Sequence, residues 1–317
     1  KSNNVSKRWS KTISFIFHIL KYIIMSLKIN VDSHFVIGKK HLNQNTPCQD
    51  HSLCGMIGEI AYVVISDGCS SGRHTDIGAR IITCALSQSI KKNLSDFNGD
   101  IMLLPDIIHA DIVNQAQLIA DTMGLENQDL LATCVYAIIT PDGGFIHILG
   151  DGSAIIKSRN NDLIITTAEW QRNTPYYPAD NRKSLFIREH SQPEDGSKSM
   201  CVTQSFVSDN GSFSEIKYIS IHESVKGYVI YLPEKQLKII TDVIVCSDGV
   251  ESFKQDKDIV NSIDIIPSLV SFKNYAGDFM KRRLSRGLLE YSKQGMIHDD
   301  DIAMAAIHIA HTINSEQ

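Results

Sequence analysis

Apolar runs rich in β-branched residues recur along this chain, and three of them abut aspartates. The string AYVVIS at 61–66 runs into Asp67 and Gly68, IITDVIVCS at 239–247 runs into Asp248 and Gly249, and Asp300 and Asp301 precede IAMAAIHIA at 302–310. Runs of this length and composition predict buried strands, so each aspartate emerges where a strand stops or starts. Helical spacing of apolar residues follows the first run over 75–92 and again over 105–123, and a second helical pair is predicted at roughly 263–272 and 275–293. A hairpin series is expected at 130–140, 145–149, 153–157 and 163–167, punctuated by turn residues at 141–144, 150–152 and 160–162. Further strands are predicted at 216–221, 228–232 and 237–246. Residues 168–211 carry Pro175, Pro178 and Pro193 without a sustained period and read as a long irregular excursion. Many antiparallel strands with helices inserted in pairs predict an α+β fold of four layers, α-β-β-α, with two mainly antiparallel sheets flanked by helices.

The N-terminus has a different pattern. Apolar side chains at 13, 16, 17, 20, 23, 24 and 27 oppose Ser14, His18, Lys21 and Lys28, which predicts a basic amphipathic helix. Lys21 interrupts it before the roughly 20 apolar residues a membrane span needs. A helix docked on the body or an unstructured extension is expected, with peripheral membrane contact through 13–27 as the lesser alternative. The division is therefore an extension at 1–28, one domain at 29–312, and a short polar tail at 313–317.

Composition narrows the class. The 317 residues, 43% of them hydrophobic, can bury one large core. A net charge of -5 argues against nucleic-acid binding, which demands concentrated Lys and Arg. Seven cysteines without CxxC spacing fit reduced thiols and a cytoplasmic location.

Carboxylates collected at strand ends, far apart in sequence, are what a pair of hard divalent cations requires. Unpaired, such a cluster would repel itself and raise its own pKa values. GKKH at 38–41, TPCQD at 46–50, ISDG at 65–68, SGRHTDIGAR at 71–80, LAT at 131–133, GDG at 150–152, VCSDGV at 245–250 and DDI at 300–302 occur in that order. With these motifs the chain resembles a bacterial protein phosphatase 2C domain from about residue 28 to residue 311.

The resemblance implies the same sandwich, with a metal site in a cleft at one end. It implies a metal-dependent serine/threonine phosphoprotein phosphatase in which two Mg2+ or Mn2+ ions activate water, acting on a phosphorylated protein and paired with a cognate kinase. Asp67 would bridge the ions as the central catalytic residue, with the Gly68 carbonyl as a neutral ligand. Asp248 and Asp300 would complete one ion, Asp50 would serve the second, and Asp151 would hold a third, looser one. All-oxygen ligation selects Mg or Mn over Zn. The chain departs from the better-known pattern at Gln49, where a carboxylate is usual, at Asn45, near the place of a phosphate-clamping arginine, and at Cys69, where eukaryotic members carry histidine. His41, Arg73 and His74 are the candidates to handle substrate oxygens or the leaving group, and His41 is the catalytic choice among them. The alternatives are a weakly active or inactive regulatory module that binds phosphoprotein, and a metal-dependent hydrolase of small phosphate compounds.

Overall fold

The computed structural model describes residues 28–94, 100–180, 183–191 and 198–310. The amphipathic segment at 13–27 and the polar tail lie outside them. In chain order the elements are β1 (Lys28–Val36), α1 (Lys39–Gln44), β2 (Asp50–Ile57), β3 (Ile60–Asp67), α2 (Thr75–Leu94), α3 (Leu104–Met123), β4 (Cys134–Thr140), β5 (Gly143–Leu149), β6 (Gly152–Ser158) and β7 (Leu163–Trp170). There follow α4 (Lys183–His190), β8 (Lys198–Ser208), β9 (Gly211–Ser220), α5 (Ile221–Ser224), β10 (Tyr228–Pro233), α6 (Glu234–Leu237) and β11 (Ile240–Cys246). The described chain ends with β12 (Phe253–Gln255), β13 (Asp258–Ile259), α7 (Ser262–Leu269), α8 (Phe279–Lys293), β14 (Met296–His298) and β15 (Ile302–Ala310).

Two antiparallel sheets stack face to face. One has the order β1-β15-β11-β6-β7-β8-β9 and the other β10-β5-β4-β3-β2, with a small β13-β12-β14 sheet beside them. The period of two along each strand sends alternate side chains to opposite faces, which sorts the core into layers. Val63 and Ile65 of β3 meet Val243 and Val245 of β11 and Ala303 and Ala305 of β15 between the sheets. Tyr62 and Val64 face outward and are covered by Ile82, Leu86 and Ile90 of α2 and Ile108 and Ile112 of α3. On the opposite outer face, Ile244, Ile302 and Met304 pack under Ile266 and Leu269 of α7 and Met280 and Leu284 of α8. The fold is the four-layer α-β-β-α sandwich.

The excursion predicted at 168–211 is mostly regular. β7 extends to Trp170, α4 follows, and β8 pairs with β7 from Leu163↔Val207 to Trp170↔Met200. The β8 string KSMCVTQSFVS is rich in Ser, Thr and Gln, so its strand character comes from the neighbours β7 and β9 rather than from its own composition. Strands β1 and β2 also lie outside the sequence expectation.

Candidate metal centre

The geometry of the site begins with a hairpin. β2 and β3 pair antiparallel from Ile57↔Ile60 to Asp50↔Asp67, so the two aspartates are cross-strand partners at its open end. Thr133 fixes the second of them. Its backbone N–H donates to the Asp67 carbonyl at 2.8 Å, and its hydroxyl accepts from the Asp67 N–H at 3.0 Å. Ser66 Oγ donates to the Thr133 carbonyl at 2.5 Å, tying the same three residues from the other side. Asp50 is only 1% exposed, and Ser247 Oγ donates to its Oδ2 at 2.7 Å from the other sheet.

Asp300 and Asp301 enter from the start of β15. Two glycines let the chain crowd against them: a Cβ at Gly38 would lie 2.3 Å from the Asp300 carbonyl carbon, and one at Gly249 would lie 1.7 Å from the Asp301 carbonyl oxygen. Asp301 is buried and accepts from the backbone N–H of Gly38 and of Gln49, both at 2.6 Å. It therefore straps the 38–49 segment, including α1, onto the mouth of the sandwich. Asp300 stays partly accessible, its backbone N–H donating to Ser252 Oγ at 3.1 Å.

The placement of His41 changes its expected role. It lies in α1 and is 4% exposed, with Nδ1 2.8 Å from Asp301 Oδ2 but out of alignment for a hydrogen bond. So enclosed, the ring meets the site through Asp301. His41, Asp300 and Asp301 each offer a ligand atom, all within 4.8 Å of one another.

Electrostatics unite the aspartates that the sequence scatters. Burial raises the Asp50 carboxyl well above its ordinary pKa, opposed by the Ser247 hydrogen bond and reinforced by the Asp248 and Asp301 charges. Burial raises Asp67 likewise, reinforced by Asp50, Asp248 and Asp151. Asp248 is raised by burial and by Asp300. Asp151 sits in the Gly150-Asp-Gly152 turn, whose glycines have φ of 93° and 128°, and is pushed up to about 7 by burial and Asp248. Glu251 is also pushed up to about 7, by burial, then Glu169, Asp248 and Asp151. Among the described residues no lysine or arginine stands among the leading influences on any of these five carboxyls. The donor set is all oxygen, partly open at Asp67, Asp151, Asp248 and Asp300, and short of positive charge. Hard divalent cations fit it.

A profile of the family Protein phosphatase 2C matches residues 37–288. The chain belongs to the protein phosphatase 2C family. No curated protein matches it in sequence. In structure it is similar to the serine/threonine phosphatase Stp1 from Staphylococcus aureus, at 12% identity and a TM-score of 0.54, covering 90% of this chain and 96% of that one. It is also similar to the S. agalactiae serine/threonine phosphatase, at 13% identity and a TM-score of 0.50, covering 89% and 100%. A C. elegans sex determining protein shares the fold at 15% identity and a TM-score of 0.51, over 89% of this chain and 65% of that one.

Within the protein phosphatase 2C fold the unusual positions have specific partners. Gln49 directs its side-chain Nε2 to Thr75 Oγ1 at 3.2 Å, and Thr75 in turn donates to the Cys69 carbonyl at 2.9 Å. For the Cys69 thiol, burial acts upward, but hydrogen bonds with Ser71 and Tyr177 outweigh it and lower its pKa. Trp170 and Tyr176 are packing residues: Trp170 Nε1 donates to the Gly150 carbonyl at 2.8 Å, anchoring the Asp151 turn, and both rings lie on Phe186. Arg73 is exposed in the loop between Gly68 and α2, and His74 is half-buried there, its carbonyl accepting from Ile77 and Gly78.

The sequence pattern assigned no role to Ser247, Asp301, Glu169 or Glu251. Ser247 and Asp301 adjoin flagged aspartates, so adjacency was the available signal. Glu169 lies on β7 within the stretch read as irregular, and no spacing pointed to Glu251.

Proposed function

We propose that this protein is a Mg- or Mn-dependent phosphatase of phosphoserine and phosphothreonine in proteins. The observation that carries the reading is the buried and half-buried carboxyl cluster whose raised pKa values have, among the described residues, no lysine or arginine as a leading opposing influence. Such a cluster costs stability unless cations join it. Asp67, the Gly68 carbonyl, Asp248 and Asp300 would hold one ion, Asp50 with Asp67 a second, and Asp151, near Glu251 and Glu169, a third. Bound there, divalent ions supply a nucleophile at neutral pH and neutralise phosphoryl charge.

The chain's own residues do the rest. Thr133 and Ser66 hold Asp67 in place from its backbone, and Ser247 orients Asp50 and keeps one of its oxygens committed. Asp301, with His41 behind it, fixes the 38–49 segment and so the wall of the cleft. Of the three side chains put forward for the missing arginine, Arg73 alone is exposed, and it is the one to receive substrate oxygens. The seven cysteines are all free, which fits a reducing cytoplasm, and a cognate protein kinase would supply the substrate. No helix among the described residues is long and apolar enough to cross a membrane.

The purified protein should hydrolyse phosphoserine and phosphothreonine peptides and an aryl phosphate with Mn present, and should lose both activities in EDTA. Absence of any Mn-dependent turnover on the peptides would overturn the reading.

A further inference from the structure

A second charged feature lies away from the acidic cleft. The loop after α7 and the first turns of α8 enclose a recess of about 160 Å³ into which Lys273, Arg282, Arg283 and Arg286 converge, with Ser271 and Asn274 at its wall. No carboxylate lines it. On a chain of net charge -5 a concentration of four cations is out of proportion, and like charges so placed repel one another unless an anion joins them.

The internal bonding leaves three of these four cations without a carboxylate partner among the described residues. Arg282 Nη2 donates to two neutral acceptors, Asn274 Oδ1 at 2.9 Å and the Ala276 carbonyl at 2.6 Å. Arg283 Nη2 donates to Ser268 Oγ at 3.2 Å and pairs with Glu290 at 3.0 Å. Its Nε is buried and has no hydrogen-bond partner among the described residues. Lys273 and Arg286 have neither a hydrogen bond nor an ion pair among the described residues. A guanidinium donor left without an acceptor adds to the electrostatic demand for an anion close to Arg283.

The recess is also pre-shaped. Tyr275 stacks on His308 with ring centroids 3.3 Å apart and donates to Asp242 Oδ2 at 3.2 Å, and Phe272 packs edge-on against Phe279 at 5.1 Å. These contacts pin the loop to the sheet. His308 stands six residues along β15 from Ile302, a separation of roughly 20 Å at the rise of a strand. The basic recess is therefore at the other end of the sandwich from the carboxylates.

We propose that this recess is a binding site for a phosphate group, distinct from the metal centre. Arginine forks and a lysine point charge match a tetrahedral dianion, and the volume is well below the roughly 300 Å³ at which pockets for larger organic ligands begin. The phosphate belongs either to a second phosphorylated side chain of the protein substrate or to free phosphate.

Calorimetric titration of inorganic phosphate into the full chain in EDTA and low salt isolates this site, because the metal-free acidic cleft repels the anion. The wild type should bind, and Lys273→Ala/Arg286→Ala should bind at least tenfold more weakly, with unchanged melting temperature and unchanged Mn-dependent turnover of an aryl phosphate. Both side chains are exposed, and Lys235→Ala/Lys238→Ala serves as a control that should bind as the wild type does. Failure of the wild type to bind phosphate in EDTA, or equal binding by the Lys273/Arg286 variant, overturns the proposal. The source is read from peptides: a lower KM for a doubly than a singly phosphorylated peptide, lost in the variant, assigns the site to the substrate. An unchanged KM ratio beside weakened phosphate binding assigns it to free phosphate. The EDTA measurement does not depend on catalysis, so it stands or falls apart from the enzymatic reading.

Discussion

Ser247 Oγ donates to Asp50 Oδ2 at 2.7 Å and accepts from the Ala303 N–H at 2.9 Å. One hydroxyl thus joins the ends of three strands, β2 in one sheet and β11 and β15 in the other. Ser247→Ala leaves the Ala303 N–H unpaired in a buried position, which costs about 1–3 kcal/mol. It also frees Asp50 to turn. Denaturant unfolding should show that loss, and a Mn titration should show weaker binding than in the wild type.

Asp67→Asn keeps the volume of the side chain and removes a charge that Asp50, Asp248 and Asp151 all oppose. Hydrolysis should be nearly abolished. In EDTA the variant should melt no lower than the wild type, because repulsion in the cluster is relieved, whereas the rise in melting temperature on adding Mn should shrink. Near-normal turnover would remove Asp67 from the centre of the mechanism.

The metal-free protein should lose stability as pH rises. Asp151 and Glu251 have folded pKa values pushed up to about 7 from ordinary carboxylate values. Between pH 4 and 7, roughly, the folded state then holds more protons than the unfolded state, so unfolding becomes easier with increasing pH across that window. Melting curves in EDTA should fall from acid toward neutral pH. Saturating Mn should flatten or reverse the trend, because the cations take the place of the protons. A flat EDTA profile would contradict the electrostatic picture of the cleft.

His41 is enclosed against Asp301, so its loss should be felt indirectly. His41→Ala should slow a phosphoserine peptide and an aryl phosphate by the same factor and lower stability, since the strap held by Asp301 loosens. A much larger loss on the peptide would mean that His41 protonates the leaving group after all.

Arg73→Ala tests the exposed cation. Losing a charge-assisted hydrogen bond to a phosphoryl oxygen is worth about 1.5–3 kcal/mol, or roughly 10- to 100-fold in kcat/KM. The effect should fall on both substrate types, with Mn affinity unchanged.

The sequence by itself determined the strands that run toward Asp67 and Asp248 and the one that follows Asp301, because short apolar runs, β-branched in the first two and bounded by turn residues, favour a buried sheet. Helices α2 and α3 were legible for a related reason: their apolar spacing matches one buried face. β8 was not legible, since a Ser-, Thr- and Gln-rich string becomes a strand only when β7 and β9 offer hydrogen-bonding edges on both sides. The aspartates could be chosen as a set from their positions at strand ends. The partners of each were beyond reach: that Ser247 orients Asp50, that Asp301 holds Gly38 and Gln49, and that His41 turns inward all depend on contacts spanning about 200 residues or more. Charge runs were equally ambiguous, since only the folded loop brings Lys273 beside Arg282, Arg283 and Arg286. Local pattern decides which elements form because their propensity and burial are local or periodic, whereas side-chain roles follow from which strand ends meet, and only packing of the two sheets settles that.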